Sequence, residues 1–283
     1  MLVNSKDILH DAVLHQYAVG GFDATNTFLV DCIVGAAEKS RVPVILMIPG
    51  FSLTGGTYEY LVNYAVNRCR STTADIVLHL DHGNSFSQCV YAVKKGFSSV
   101  MIDGSALPFE DNTALTKKVT ECAHSADITV EAEIGHVAGD ESAQEGSTAV
   151  AALFTQPQEA ARFVQATGID SVAVAFGNVH GRYKGRPVLD FDRLEKIRNA
   201  VSVPLVMHGG SGISSDDFKK VIRTGIRKIN IFSEVSLQST RILYELMQKN
   251  NGNAHIAELQ SEAQVSVENL IISYIKLFNN SVK

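Results

Sequence analysis

The chain has 283 residues, 45% hydrophobic and 19% charged, with 21 glycines, 6 prolines and no tryptophan. That length can bury a substantial core, and the near-average composition excludes a long disordered, collagen-like or low-complexity chain. The formal net charge is −5 and the basic residues are scattered rather than striped, which argues against a nucleic-acid-binding surface.

The opening MLVNSKDILHDAV is too polar for a signal peptide. Apolar runs such as Val44–Ile48 fall far short of the roughly 20 residues that span a bilayer, so no membrane association is expected. Cys32, Cys69, Cys89 and Cys122 lie far apart without a CxxC, as small buried thiols do in a reducing compartment. The expectation is a soluble cytoplasmic protein.

Short β-branched runs alternate with stretches of helical spacing. Strands are predicted at 17–22 (YAVGGF), 43–48 (PVILMI), 75–80 (DIVLHL), 98–103 (SSVMID), 128–133 (ITVEAE), 171–176 (SVAVAF), 203–208 (VPLVMH) and 227–232 (RKINIF). They are nearly continuous in Val, Ile, Leu and Ala, as parallel strands covered on both faces should be. Between them, Leu115, Val119 and Cys122 recur at helical steps within 109–126, as do Phe218, Val221 and Ile222 within 215–224. The latter helix opens on Ser-Ser-Asp-Asp, an N-cap with an acidic first turn. Gly96, Gly168 and Gly225 each stand just before a strand, where a helix C-cap needs positive φ. Eight strands with seven or eight intervening helices predict an α/β fold, a (β/α)8 TIM barrel forming one domain over residues 1–283. One or two extra C-terminal helices are expected in 250–283. The competing doubly wound sheet lacks its Gly-x-Gly-x-x-Gly turn after the first strand.

The chemistry-bearing residues sit where these strands end. Strand three ends in His79-Leu80-Asp81-His82-Gly83, strand four in Asp103-Gly104-Ser105 and strand five in Glu131-Ala132-Glu133. Strand six runs into Asn178-Val179-His180-Gly181, and strand seven ends at His208. In a barrel these ends open on the one face that carries active sites. A single histidine at a strand end is more often a hydrogen-bonded structural group. Three of them, flanked by glycines and carboxylates, resemble a divalent-metal site, and three imidazoles with an open fourth position are a catalytic zinc pattern. His79 points with Asp81 and is read as structural, placed to orient that carboxylate. Glu131 shares a face with Glu133 but lies one step deeper, so Glu133 is preferred. His10, His15, His124, His136 and His255 fall in helical or loop stretches and receive no role.

A second signal is for an anion. Gly209-Gly210-Ser211-Gly212 follows strand seven and Asn230-Ile231-Phe232-Ser233 ends strand eight, each leading into a helix. The loops after strands seven and eight are the usual phosphate site of this fold, through backbone N–H groups and helix N-termini. Metal and phosphate together suggest a phosphorylated substrate whose carbonyl or hydroxyls touch the metal. Asp81, beside His82, is placed for proton transfer. A zinc ion there would polarise a ketone and stabilise the enediolate left when the neighbouring carbon–carbon bond breaks.

HLDHG, MIDGS, VEAEIG, GNVHGRY, VMHGGSG and KINIFSE, in that order and spacing, resemble the class II ketose-bisphosphate aldolases, zinc-dependent enzymes of fructose and tagatose 1,6-bisphosphate. The resemblance covers roughly residues 1–250. It implies a lyase that reversibly splits a ketose 1-phosphate or 1,6-bisphosphate into dihydroxyacetone phosphate and an aldehyde, as a homodimer or homotetramer. It assigns zinc to His82, His180 and His208, and the acid/base at the hydroxyl of the cleaved bond to Asp81. Asp103 and Glu133 match positions of a second or alternative site, for a divalent or monovalent cation. Gly181, Gly209, Gly210, Ser211, Asn230, Ile231, Phe232 and Ser233 match the dihydroxyacetone-phosphate site. No Schiff-base lysine is required, and none stands at the C-terminal end of a predicted strand.

The departures from the family pattern fall on the substrate side. Members often read F-N-x-x-N-x-E after strand one, where this chain has Phe22-Asp23-Ala24-Thr25-Asn26-Thr27-Phe28, gaining a charge at Asp23 and losing a glutamate at Phe28. Many members carry a Ser or Thr near the position of Pro49 and a His at that of Ala106, and Ala138 replaces one glycine of a loop motif. Bisphosphate aldolases usually present a C-terminal-helix Arg to the distal phosphate, and residues 254–283 contain no Arg. Arg182 and Lys184 are either a substitute source of charge or a solvated loop. One hypothesis is therefore a ketose 1-phosphate whose aldehyde half carries no phosphate, with the 1,6-bisphosphate left open. Of the rivals, an amidohydrolase-type barrel would carry His-x-His at the end of strand one, and YAVGGFD has none. A non-catalytic sugar-phosphate-binding subunit would lack the acid/base or a ligand, and none is missing here.

Overall fold

A computed structural model describes residues 1–53, 58–139, 148–181 and 183–279. The strands are β1 (Val19–Asp23), β2 (Val44–Pro49), β3 (Ile76–Gly83), β4 (Ser99–Ile102), β5 (Thr129–Ile134), β6 (Ser171–Val174), β7 (Leu205–Met207) and β8 (Ile226–Ile231). All pair in parallel and in sequence order, and β8 returns to β1 to close a barrel, which excludes the doubly wound sheet. Helix α1 (Ser5–His15) precedes the barrel. The helices that follow are α2 (Thr27–Ser40), α3 (Tyr58–Ser71), α4 (Phe86–Lys95), α5 (Phe109–His124), α6 (Pro157–Thr167), α7 (Phe191–Ala200), α8 (Ser215–Thr224) and α9 (Ser233–Lys249). The extra C-terminal helix is α10 (Ile256–Asn279). Gly96, Gly168 and Gly225 do cap helices, at φ 91°, 67° and 136°.

Strand alternation divides the side chains between two places. Outward residues such as Phe22, Leu46, Leu78 and Val100 join the helices in the main core. Inward residues fill the barrel in layers, as its narrow interior requires. At the N-terminal end, Val19, Ile45, Met47 and Val77 are sealed by Ile8, Leu9 and Ala12 of α1. Burial there is apolar on both sides, so that end of the barrel is a plug and the polar residues are left to the opposite end. Cys32, Cys69 and Cys89 are buried as expected, whereas Cys122 is only partly so. Among the described residues no helix is long and apolar enough to cross a membrane.

Helix α10 lies across α2, α8, α9 and the start of β1. Val267, Ile271, Ile275 and Phe278 form its buried face, and Glu268 is buried in an ion pair with Lys39 of α2. The Phe278 ring packs 5.0 Å from Phe218 and 5.8 Å from Tyr274, and its carbonyl accepts the N–H of Ala18. Phe278→Ala should therefore lower the unfolding free energy by about 3–5 kcal/mol in a denaturant melt. A loss below about 1 kcal/mol would mean that α10 is not part of the cooperative core.

Candidate functional site

Adjacent residues of a regular strand face opposite sides, so Asp81 and His82 should not both reach the barrel mouth. The chain solves this with an irregularity. The register between β3 and β4 shifts between Leu80 and Gly83, and His82 takes a left-handed φ of 46°. Such a bulge re-aims a side chain, here at a conformational cost of roughly 1–2 kcal/mol. Gly83 makes it fit, because a Cβ there would lie 2.5 Å from the carbonyl oxygen of Met101.

The bulge brings His82 to two other imidazoles. His82 Nε2 lies 3.1 Å from His180 Nε2 and 2.9 Å from His208 Nδ1. Each ring's other nitrogen meets an acceptor. His82 Nδ1–H donates to Asp103 Oδ2 at 2.7 Å, His180 Nδ1–H to the Val137 carbonyl at 3.2 Å and His208 Nε2–H to Glu131 Oε1 at 2.9 Å. Those acceptors fix the tautomers, so in the neutral rings the three inner nitrogens carry lone pairs and no proton. Burial, reinforced by the neighbouring imidazoles, depresses the basicity of His180 and of His208. Three lone pairs facing one another across about 3 Å repel unless a cation lies between them. The donor set thus fits a metal held by His82, His180 and His208, with each outer nitrogen anchored as metal-bound histidines require.

The carboxylates divide into distinct environments. Asp81 Oδ1 accepts the Asn230 side-chain N–H at 3.0 Å, while Oδ2 is buried without a hydrogen-bond partner among the described residues, 3.9 Å from His82 Nε2. Burial works against ionisation of Asp103, yet its hydrogen bond and attraction to His82 hold it below the usual carboxylate range. Glu133 has Oε1 on the Val137 N–H and a buried Oε2 without a hydrogen-bond partner among the described residues. Burial and the nearby Asp103 push its carboxyl up to about 8. His82, Asp103 and Glu133 also have ligand atoms within 4.8 Å of one another, which brings the second predicted cluster together.

Below this layer lies a polar one in which Glu131, expected one step deeper than Glu133, and His79, expected beside Asp81, meet Lys228, which the sequence analysis did not single out. Lys228 Nζ donates to Glu131 Oε2 at 2.7 Å and to His79 Nε2 at 3.3 Å, and His79 Nδ1 meets Ser99 Oγ at 2.8 Å. His79 therefore bonds to Ser99 and Lys228 and not to Asp81, because its ring sits one layer beneath that carboxylate. Burial opposes ionisation of Glu131, but the Lys228 charge and the His208 hydrogen bond outweigh it and hold the carboxyl well below its usual range. The signal was available: a lysine on the same face of β8 as Asn230 and a glutamate on the face of Glu133 both point inward.

The predicted anion loops meet as well. A cavity of about 300 Å³ is lined by Gly181, Ser211 and Ser233 together with Tyr183, Gln238 and Arg241. Helix α9 starts at Ser233 without a side-chain cap, and the N–H of Glu234 donates to Ser211 Oγ at 3.0 Å. Tyr183 Oη donates to the Gly209 carbonyl at 2.9 Å and accepts the Val179 N–H, tying the loops after β6 and β7 together. Gly209 has φ 65°, and a Cβ there would lie 1.9 Å from the Val179 carbonyl oxygen, so only glycine fits. Of the other predicted residues, Gly210 abuts Asn230 and Ile231, and Phe232 stacks near Phe51 at 6.1 Å. The Ile231 side chain belongs to the outer core, which leaves only its backbone to the mouth. Asp23 is buried at the end of β1. Lys184 is exposed beside a separate hollow with Arg186 and Val188, and Arg182 lies outside the described residues.

Comparison with known proteins bears on the same geometry. The family model for fructose-bisphosphate aldolase class-II matches residues 3–283. A fructose-bisphosphate aldolase of Geobacillus stearothermophilus is 36% identical over 285 residues, covering 100% of this chain and 98% of that protein. A probable fructose-bisphosphate aldolase of Bacillus subtilis is 37% identical over 99% of this chain and 98% of its own. The crystal structure of the YdjI aldolase from Escherichia coli K12 superposes with a TM-score of 0.86 at 34% identity, covering 98% of this chain and 97% of that one. A family model spanning almost every residue, full-length relatives and a shared barrel place this chain in the class II fructose-bisphosphate aldolase family, whose enzymes are lyases of phosphorylated sugars.

Proposed function

We propose that the protein is a zinc-dependent aldolase that reversibly splits a ketose 1-phosphate into dihydroxyacetone phosphate and an aldehyde bearing no second phosphate. The observation that carries this reading is the convergence of three proton-free imidazole nitrogens beside the half-anchored carboxylate of Asp81. Three neutral imidazoles without a thiolate suit zinc. When bound, the ion supplies Lewis acidity toward the ketone oxygen.

The chain's own groups supply the rest. Asn230 fixes one oxygen of Asp81, leaving the other to take the hydroxyl proton at the cleaved bond and return it in the reverse direction. The uncapped start of α9, Ser211, Ser233 and Gly181 favour an anion in their cavity, and Arg241 adds charge to its wall. Asp103 and Glu133 are proposed to serve a second cation. The absence of Arg from residues 254–283 and the acidic Asp23 at the end of β1 support an aldehyde half without a phosphate. Exposed Tyr244, Met247 and Ile256, close in sequence, support the homodimer or homotetramer, and the buried free thiols support a cytoplasmic setting.

Incubated with dihydroxyacetone phosphate in heavy water, the zinc-loaded protein should exchange a hydroxymethyl proton, visible as loss of its NMR signal, and a chelator should stop the exchange. Absence of exchange with zinc confirmed bound would sink the reading. Asp81→Ala should slow cleavage by about 10²–10⁴-fold while zinc content and this exchange persist, because the hydroxyl and carbon-bound protons are handled separately. Unchanged cleavage would remove the role given to Asp81.

The names of the full-length relatives favour a second reading, in which the substrate is fructose 1,6-bisphosphate. Comparing kcat/KM for fructose 1-phosphate and the bisphosphate separates the two. The 1-phosphate should be turned over at least as well. A preference of about tenfold or more for the bisphosphate, the scale of one charge-assisted hydrogen bond, would establish the second reading instead.

A further inference from the structure

Lys228 is 1% exposed inside the barrel, and its charge has no role in the reading given so far. Stability does not explain it, since buried ion pairs are often no better than apolar residues of the same size. Its geometry is directed. Lys228 Nζ contacts Glu131 Oε2 at 2.7 Å, the other oxygen of that carboxylate accepts His208 Nε2–H at 2.9 Å, and the far side of the imidazole presents Nδ1 2.9 Å from His82 Nε2. The three residues come from β8, β5 and the end of β7, so the line crosses the barrel and ends at the inner nitrogens.

Lys228 holds Glu131 Oε2 and so leaves Oε1 on His208 Nε2. Without that hold the carboxylate could turn away from His208, Nε2 would lose its acceptor, and the ring proton would be free to sit on Nδ1. That tautomer aims a proton at the place where a metal needs a lone pair. Hydrogen bonds from Lys228 to both Glu131 and His79 also fix the ammonium between two partners.

We propose that Lys228 is a positioning residue for the metal centre: its hydrogen bond pins Glu131 with Oε1 on His208 Nε2–H and thereby commits His208 to present Nδ1 to the ion. This rests on the metal reading above. Lys228→Met, close in length and uncharged, should weaken zinc binding by about 10- to 100-fold in competition with a chromophoric chelator. The visible spectrum of the cobalt(II)-loaded variant should also shift. In a Glu131→Gln background the same change should cost nothing further, because Lys228 acts through Glu131.

Wild-type affinity and cobalt spectrum in Lys228→Met, or losses that simply add in the double variant, would overturn the proposal. Should Lys228→Met fail to fold, the histidine ¹⁵N spectrum of the metal-free wild-type protein remains decisive, with His208 protonated at Nε2 as the expected state and at Nδ1 as the contrary one. Wild-type protein that binds neither zinc nor cobalt would bring down the metal reading itself, whereas a wild type that binds beside unaffected variants would remove only the role of Lys228.

Discussion

The barrel mouth is organised around one electrostatic constraint, the approach of three imidazole lone pairs to 2.9 and 3.1 Å. Nothing in a dry interior favours that arrangement unless a cation is meant to sit there, and the surrounding structure is built to enforce it. Each outer nitrogen is held by a different kind of anchor, a partly exposed carboxylate, a backbone carbonyl and a fully buried carboxylate. The anchors come from loops or strands other than the one bearing the histidine, so the centre exists only once the barrel has closed. The Val137 carbonyl shows this coupling well: it holds His180, while the His180 N–H returns to the Ala138 carbonyl and joins the loops after β5 and β6.

The same constraint explains the irregular end of β3. The proposed metal ligand His82 and the proposed proton carrier Asp81, adjacent in sequence, cannot both enter the mouth from a flat strand. The bulge with left-handed His82 permits it, and Gly83 supplies the space against Met101. Asp81 then lies beside the imidazoles by backbone construction, and Asn230 from β8 sets its orientation. Strain of this kind persists only where neighbouring contacts over-determine it, and here they do.

The strand pattern carried most of the architecture, because buried parallel strands need continuous apolar runs and each run here is separated by a helix of ordinary length. The three histidines and Asp81 were legible because they stand at strand ends, a position whose direction is known once a barrel is assumed. Lys228 was not, and Glu131 and His79 were placed deeper and structural but without their partners, since residues deeper in a strand have no visible role until the side chains across the barrel are known. Partners separated by 97 and 149 positions in sequence leave no local trace. Ile231 shows the converse: its place in a motif suggested the mouth, but strand alternation turns its side chain to the outer core.

The two halves of the proposed substrate site are built differently, and that difference locates specificity. The phosphate side uses backbone and small side chains from the loops after β6, β7 and β8, locked by Tyr183 and by a glycine that no larger residue can replace. Such a site recognises an anion by shape and N–H direction and tolerates little change. Next to it, at the end of β1, stands Asp23, a buried acidic side chain. An acidic side chain at that rim disfavours a second dianion and favours hydroxyl donors. Substitutions on that side can exchange one aldehyde for another without disturbing the imidazoles, their anchors or the phosphate loops, so this is where members of one family with one metal centre can diverge in substrate.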